Sequence, residues 1–314
     1  MFVGNVNHRL NTNGTFSVQQ PSFTQSLLSN SLDDENETNS TIAKPNFITT
    51  YSSPIYTSRN GAKIDTVVIH ITEGKTFEQN RDYLTSKNSG VSANFLISKK
   101  GEILCLVPEK FAANHAGVSS WKGKSEVKFR SVGIELFNEG PDGDWPNFPE
   151  DQMKALIELC RYLKRTYNIP IENFVGHSDI ATERPKLVAG RKTDPGVKFD
   201  WKRMAEAGFG DYVDNIAINA NAKTYRLGDI GPAVREVQSL LKEYGYDIQV
   251  SGKFDEKMQN IMYAFNDHHY PKKENPKPGD IKPEADPTSV AILTELVKRK
   301  REREGNTLPL VAAS

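Results

Sequence analysis

The pattern of apolar and polar positions changes several times along the chain, and each change marks an element. Residues 1 to about 45 are rich in Asn, Ser, Thr and Gln, with few evenly spaced hydrophobes. Such a stretch buries too little apolar surface to offset its ordering entropy and is expected to be a flexible N-terminal segment. Order is expected to begin near Ile48 to Tyr56. Asp65-Thr66-Val67-Val68-Ile69-His70-Ile71 is dominated by β-branched residues, the pattern of a strand covered on both faces. Thr76 to Ser86 reads as a helix with Phe77, Tyr83 and Leu84 as its apolar positions. Ala93 to Ser98 and Glu102 to Val107 flank a tight turn at Lys99-Lys100-Gly101 and predict a hairpin. Val132 to Leu136 is a further short strand. From Pro149 to Tyr167, Met153, Leu156, Ile157, Cys160 and Leu163 recur at three and four residues, which predicts an amphipathic helix. Pro149 and Asp151 supply its start signals. Asn173 to His177 reads as a strand leading into a loop. Strands and helices interleave, so residues 46–210 are expected to form an α/β domain.

A second pattern begins near residue 222. Gly228-Asp229-Ile230-Gly231-Pro232 is a helix start with Pro at or near the first helical position. Val234, Val237, Leu240 and Leu241 follow on one face. After a loop through Gly245-Tyr246 and Val250 to Phe254, Asp255 is placed to cap a second helix with the face Met258, Ile261, Met262 and Phe265. Residues 271–287, rich in Pro, Lys and Glu, read as an exposed linker. Thr288 to Glu304 reads as a last helix ending on the solvated basic run Lys298-Arg299-Lys300-Arg301. Residues 222–304 are thus a small all-α module, too small to stand without close packing.

Length and composition narrow the function classes. The chain has 314 residues, enough for about two domains. With 40 basic and 40 acidic residues its net charge is zero, so nothing points to nucleic acid or an anionic membrane as partner. No apolar run approaches the length of a membrane span, and Met1 to Arg9 lacks the apolar stretch of a secretory signal. The two cysteines, Cys105 and Cys160, lie in apolar surroundings and read as buried thiols; they leave the compartment open.

Candidate chemistry centres on His70, His177 and Asp194. Two imidazoles and one carboxylate are the composition of an open, catalytic zinc site, with the fourth position left to water. Taken singly, His70 at the end of a buried strand reads equally well as a satisfied core histidine.

Several segments, in order, shift that balance: Val67-Val68-Ile69-His70; Asn114-His115-Ala116-Gly117-Val118-Ser119 with Trp121; Ser131-Val132-Gly133-Ile134-Glu135; Gly176-His177-Ser178-Asp179-Ile180-Ala181; Gly190-Arg191-Lys192-Thr193-Asp194-Pro195-Gly196; and Phe199-Asp200-Trp201. Over residues 48–206 the chain resembles the zinc-dependent N-acetylmuramoyl-L-alanine amidases of the type that includes peptidoglycan recognition proteins and phage lysozyme-type amidases. The resemblance implies a mixed central β-sheet flanked by helices, and one Zn²⁺ on His70, His177 and Asp194. It makes Glu135 the catalytic carboxylate and Lys192 the catalytic lysine. It sets His115 and Ala116 at the rim of the substrate cleft, with Trp121 nearby, for substrate contact or loop bracing; Asn94, at a position where relatives often carry histidine, is a further candidate for substrate contact. Thr182 to Ala189 is an insertion relative to the family that lengthens the ligand loop.

The implied reaction is hydrolysis of the amide between N-acetylmuramic acid, intact or 1,6-anhydro, and the L-alanine of the stem peptide. The implied partners are peptidoglycan or muropeptides, and the implied location is the bacterial cell envelope, with the cytoplasm as the alternative. A recognition protein that binds without cutting is the competing class; retention of all three ligand positions with Glu135 and Lys192 favours the enzyme. Residues 225–270 resemble, more weakly, the peptidoglycan-binding three-helix modules of wall hydrolases, through Leu227-Gly228, Leu240-Leu241, Gly245-Tyr246 and Gly252-Lys253-Phe254-Asp255. Wall binding is the expected role of this module, with a helical packing domain as the alternative; as a separate wall-binding unit it is expected to be dispensable for cleavage of small muropeptides.

Overall fold

The computed structural model describes residues 44–141, 145–183, 192–219, 221–271 and 273–305. The expected flexible segment therefore lies outside the described residues, as does all of the insertion except Thr182 and Glu183. The strands are β1 (Phe47–Ile48), β2 (Tyr56–Ser58), β3 (Thr66–Ile71), β4 (Phe95–Ile97), β5 (Ile103–Cys105), β6 (Phe111–Ala113), β7 (Ser120–Trp121), β8 (Lys124–Ser125), β9 (Ser131–Leu136) and β10 (Phe174–Gly176). The helices are α1 (Phe77–Thr85), α2 (Glu150–Tyr167), α3 (His177–Ile180), α4 (Trp201–Glu206), α5 (Pro232–Tyr244), α6 (Glu256–His269) and α7 (Pro287–Arg303).

Six strands form the central sheet in the order β1-β5-β4-β9-β3-β10. The run β4-β9-β3-β10 is parallel, β4 and β5 form the antiparallel hairpin, and β1 adds parallel to β5. The sheet is mixed and carries helices, as the resemblance implied. β3 is buried along its whole length, which its β-branched sequence anticipates.

Period-two alternation divides the sheet into two unlike faces. Val67, Ile69 and Ile71 of β3, Val132, Ile134 and Leu136 of β9, and Phe95 and Ile97 of β4 share one apolar cluster with Met153, Leu156, Leu159, Cys160 and Leu163 of α2. Those α2 residues recur at the spacing that puts them on one side of the helix. Each such large side chain contributes about 1.5–3 kcal/mol by leaving water. Glu150 and Asp151 complement the helix dipole at the start of α2, and Asn168 ends it in the left-handed conformation. The intervening positions, Val68 and His70 on β3 and Gly133 and Glu135 on β9, belong to the opposite face. One face is therefore pure core, and the other is free to carry chemistry.

Part of that second face is covered by the helical module. Val68, Val175, Ile180, Ala116 and Trp121 join a single apolar cluster with Val237 and Leu241 of α5, Ile261 and Phe265 of α6, and Ile292 and Leu296 of α7. Gly245 ends α5 at φ +150°, its carbonyl accepts from the Lys122 N–H at 2.8 Å, and a Cβ there would lie 2.9 Å from Trp121 Cζ2.

Two readings of the module change. Residues 271–287 are an exposed linker only in their first part: the described residues up to Asp280 are mostly exposed, but Ile281 and Ala285 are buried, Ala285 pairs with Tyr225, and the Asn266 amide donates to the carbonyls of Lys282 and Glu284. The basic end of α7 is not merely solvated, since Arg301 pairs with Glu243, Arg303 pairs with Asp211, and Arg299 donates to the Tyr212 carbonyl. Composition reads these segments as exposed, whereas packing supplies them with partners.

Candidate active site

The end of β3 delivers His70 beside Glu135, its register neighbour on β9. β10 runs alongside β3 and hands the chain to α3, whose first residue is His177. The Ser178 N–H donates to the Asp194 carbonyl at 2.9 Å, which ties the third segment to the second. Three buried side chains meet as a result. His70 Nδ1 lies 3.0 Å from His177 Nδ1 and 3.0 Å from Asp194 Oδ2, and His177 Nδ1 lies 3.2 Å from the same oxygen.

These atoms fit a metal ion. A tetrahedron with bonds of about 2.0–2.1 Å has edges of roughly 3.3–3.4 Å, close to the observed separations. The tautomers fit as well. His177 Nε2 lies 3.3 Å from the Ala116 carbonyl, which can only accept; that nitrogen carries the proton and Nδ1 keeps its lone pair. A longer relay sets His70. Ser131 Oγ donates to the Val127 carbonyl at 2.8 Å, so it accepts from His115 Nε2 at 3.1 Å. His115 Nδ1 then accepts from His70 Nε2 at 3.0 Å, leaving His70 Nδ1 unprotonated toward Asp194. Ring orientation and donor character are thus both fixed from behind.

Electrostatics point the same way. Burial, then the neighbouring His177, pushes His70 down to about 4. Burial also holds His115 well below its usual value. Burial opposes the charge on Asp194, but the two imidazoles overcome it and hold the carboxyl well below the usual carboxylate range. Glu135 is pushed up to about 8, mainly by burial and then by the charge of Asp194, with Lys192 opposing. Glu135 Oε2 is buried with no hydrogen-bond partner among the described residues.

His70, His115, Glu135, His177, Lys192 and Asp194 line one open pocket of about 220 Å³, with Tyr83 and Val91 also on its wall. Lys192 is solvent-exposed. The expected metal and catalytic residues are thus brought together. His115 reaches the pocket wall but faces His70, and Ala116 contributes its carbonyl to His177.

Asn94 and Trp121 are elsewhere. The Asn94 amide donates to the Val107 and Phe111 carbonyls and its oxygen accepts from the Gly133 N–H, so it stitches strands together. Trp121 is buried against Tyr244 and Tyr246, with its indole N–H donating to Asn173 Oδ1 at 3.3 Å. Both leave the expected substrate-contact set, because an amide and an indole placed near the motif in sequence are consumed by packing. Ser131 and Gly133 were missed. Gly133 admits the His115 ring, since a Cβ there would lie 2.6 Å from Cδ2 and 2.7 Å from Nδ1. Its position on the site face of β9, two residues from Glu135, was the available signal.

Fold and pocket together define the class: a protein of mixed α/β architecture whose buried His-His-Asp group can hold a metal ion. Sequence comparison gives the family. The family profile described as N-acetylmuramoyl-L-alanine amidase matches residues 60–197. N-acetylmuramoyl-L-alanine amidase AmiD of Escherichia coli K12 is 32% identical over 252 residues, 76% of this chain and 83% of that protein. The 1,6-anhydro-N-acetylmuramyl-L-alanine amidase AmpD of the same organism is 41% identical over 114 residues, 36% of this chain and 56% of that protein. Among solved structures, AmiD from E. coli in complex with the substrate anhydro-N-acetylmuramic acid-L-Ala-D-gamma-Glu-L-Lys superimposes with a TM-score of 0.61 at 31% identity, covering 76% of this chain and 91% of that one. AmpDh3 from Pseudomonas aeruginosa gives 0.59 at 25% identity, covering 83% and 99%. The chain belongs to the N-acetylmuramoyl-L-alanine amidase family.

Proposed function

We propose that the protein hydrolyses the amide between the lactyl carbonyl of N-acetylmuramic acid, its 1,6-anhydro form included, and the L-alanine of the stem peptide. His70, His177 and Asp194 would hold Zn²⁺. The observation that carries this reading is the meeting of three donor atoms within 3.0–3.2 Å, both imidazoles locked in the ligating tautomer, beside Glu135 in one pocket. The likeness to AmiD, solved with an anhydromuropeptide, supports the substrate class.

Zinc held there would supply Lewis acidity to the attacking water and the scissile carbonyl. The chain's own residues do the rest. Glu135 Oε2, lacking a competing partner, takes a proton from the attacking water and returns it to the leaving amine. Its elevated proton affinity suits a group that must hold that proton between the two transfers. The Lys192 ammonium stabilises the oxyanion as charge develops. We assign the protein to the bacterial envelope, where polymer and large fragments occur. Leu227 and Ile230 stand exposed on the helical module and would serve wall contact there.

The test is mass spectrometry of products from defined muropeptides with and without the anhydro end. Release of free stem peptide, abolished by chelator and restored by Zn²⁺, is expected. Asp194→Ala should lose most zinc affinity and activity, whereas Lys192→Ala should keep zinc and lose turnover. Equal zinc loss in both variants, or substrate that stays bound and uncut by metal-loaded protein, would overturn the assignment.

A further inference from the structure

We infer that the C-terminal helical module is part of the metal centre's support, with Tyr246 and His268 acting as positioning residues for His177. This rests on the metal reading above and adds a role that the catalytic domain alone does not account for.

The link is Asp179, two residues beyond His177 in α3 and almost fully buried. Its carboxylate receives the Gly176 N–H at Oδ2, 2.8 Å, which caps the start of the short helix. The other two donors come from the helical module. The Tyr246 hydroxyl donates to Oδ1 at 2.7 Å, and His268 Nδ1 lies 2.8 Å from Oδ2. A carboxylate only accepts, so His268 carries its proton on Nδ1. A four-residue helix has no cooperative stability of its own. What holds His177 in place is therefore this cap, the Ala116 carbonyl behind its ring, and the packing around α3.

That packing also runs through the module. The His268 ring stacks on Trp201 with centroids 3.7 Å apart and planes 18° apart. Trp201 in turn closes over Gly176: a Cβ at that glycine would lie 3.2 Å from Trp201 Cζ2 and 2.8 Å from Pro195 Cδ, next to Asp194. The Ser178 N–H to Asp194 carbonyl bond joins the same α3 turn to the carboxylate ligand. One small knot thus connects two of the three ligand segments to α6 and to the loop after α5. Removing the Tyr246 hydroxyl leaves Oδ1 without this donor, and removing His268 leaves Oδ2 with the Gly176 N–H alone; either change weakens the anchoring of the α3 turn, and with it the angle of His177. Partners of this kind, one step behind metal ligands, typically change metal affinity by about 10–100-fold.

The experiment uses the full-length protein and three single variants. Tyr246→Phe removes only the hydroxyl, and His268→Phe keeps a stacking ring but removes the donor. His268→Asn restores an N–H near the Nδ1 position. Zinc affinity is measured by competition with a chromophoric chelator, alongside kcat, KM and the melting temperature of the metal-free protein. The expected result is about tenfold weaker zinc binding in Tyr246→Phe and in His268→Phe. Lowered kcat at limiting zinc, little change in KM and substantial recovery in His268→Asn should accompany it. Wild-type zinc affinity in both phenylalanine variants, whatever their melting temperatures, would reduce the module to a structural neighbour and overturn the inference. Failure of the wild-type protein itself to take up zinc would instead overturn the metal reading.

Discussion

His115 lines the pocket, yet both of its ring nitrogens are engaged by protein groups. Its ring bridges His70 Nε2 and Ser131 Oγ, so its effect is carried by the tautomer and orientation of His70. His115→Ala is expected to weaken zinc binding by about 10–100-fold with KM little changed, as read by chelator competition and steady-state kinetics; a raised KM at unchanged zinc affinity would restore the substrate-contact role. The buried groups also set a pH dependence. His70 folds with its value depressed to about 4, and His115 is depressed as well. Their contribution to stability is present above the unfolded value of about 6.5 and is lost as pH falls toward 4. Glu135 is raised to about 8, so its contribution is present below about 4.5 and is lost as pH rises through 8. Across 4.5–6.5 two histidines oppose one glutamate, which places the optimum from these groups near pH 6.5. Each fully displaced group contributes at most about 1.4 kcal/mol per pH unit. Thermal melts of metal-free protein should show both limbs, Glu135→Gln should flatten the alkaline one, and zinc should shift the acid limb to lower pH by favouring unprotonated imidazoles.

Among elements, length and periodicity decided what could be read. β3 follows directly from a run dominated by β-branched residues, and α1, α2, α5, α6 and α7 from apolar residues recurring near 3.6, with caps such as Thr76, Asp255 and Asp286 accepting backbone N–H bonds at helix starts. β1, β2, β7 and β8 have two or three residues each. Unlike β4, β5 and β10, these lie within no extended apolar run that marks a strand; each exists because a partner edge supplies its hydrogen bonds. α3 is another such case, held by Asp179 and its partners rather than by propensity. The strand β9 carries a sharper lesson in Gly133, which is dispensable for a strand but required where a ring approaches. Gly133→Ala should displace His115, costing about 1–3 kcal/mol in denaturant unfolding and about tenfold or more in zinc affinity. Unchanged values in both would mean that the sheet yields at no cost.

At the scale of the molecule, the module and the catalytic domain share one apolar cluster, and Trp121 sits where they meet. Trp121→Ala should cost about 3–5 kcal/mol of unfolding free energy, the range for truncating a buried aromatic. A substrate-contact tryptophan would instead leave stability near wild type and raise KM. The cluster also changes what removal of residues 225–314 is expected to do. Val68, Val175, Ile180 and Trp121 would be bared to water, and Asp179 would lose two donors, so small muropeptides should no longer be cleaved by the shortened chain.

The sequence by itself determined the candidate ligands, the long elements and the division into an α/β part and a helical part, because each is written in local pattern or in a motif of fixed order. Tertiary structure alone decided which nitrogen of each histidine faces the metal position, where Asn94 and Trp121 spend their polar atoms, and that the helical part braces α3. Those outcomes depend on side chains from distant segments competing for the same hydrogen bonds and the same buried volume, and that competition has no signature in the order of residues along one segment.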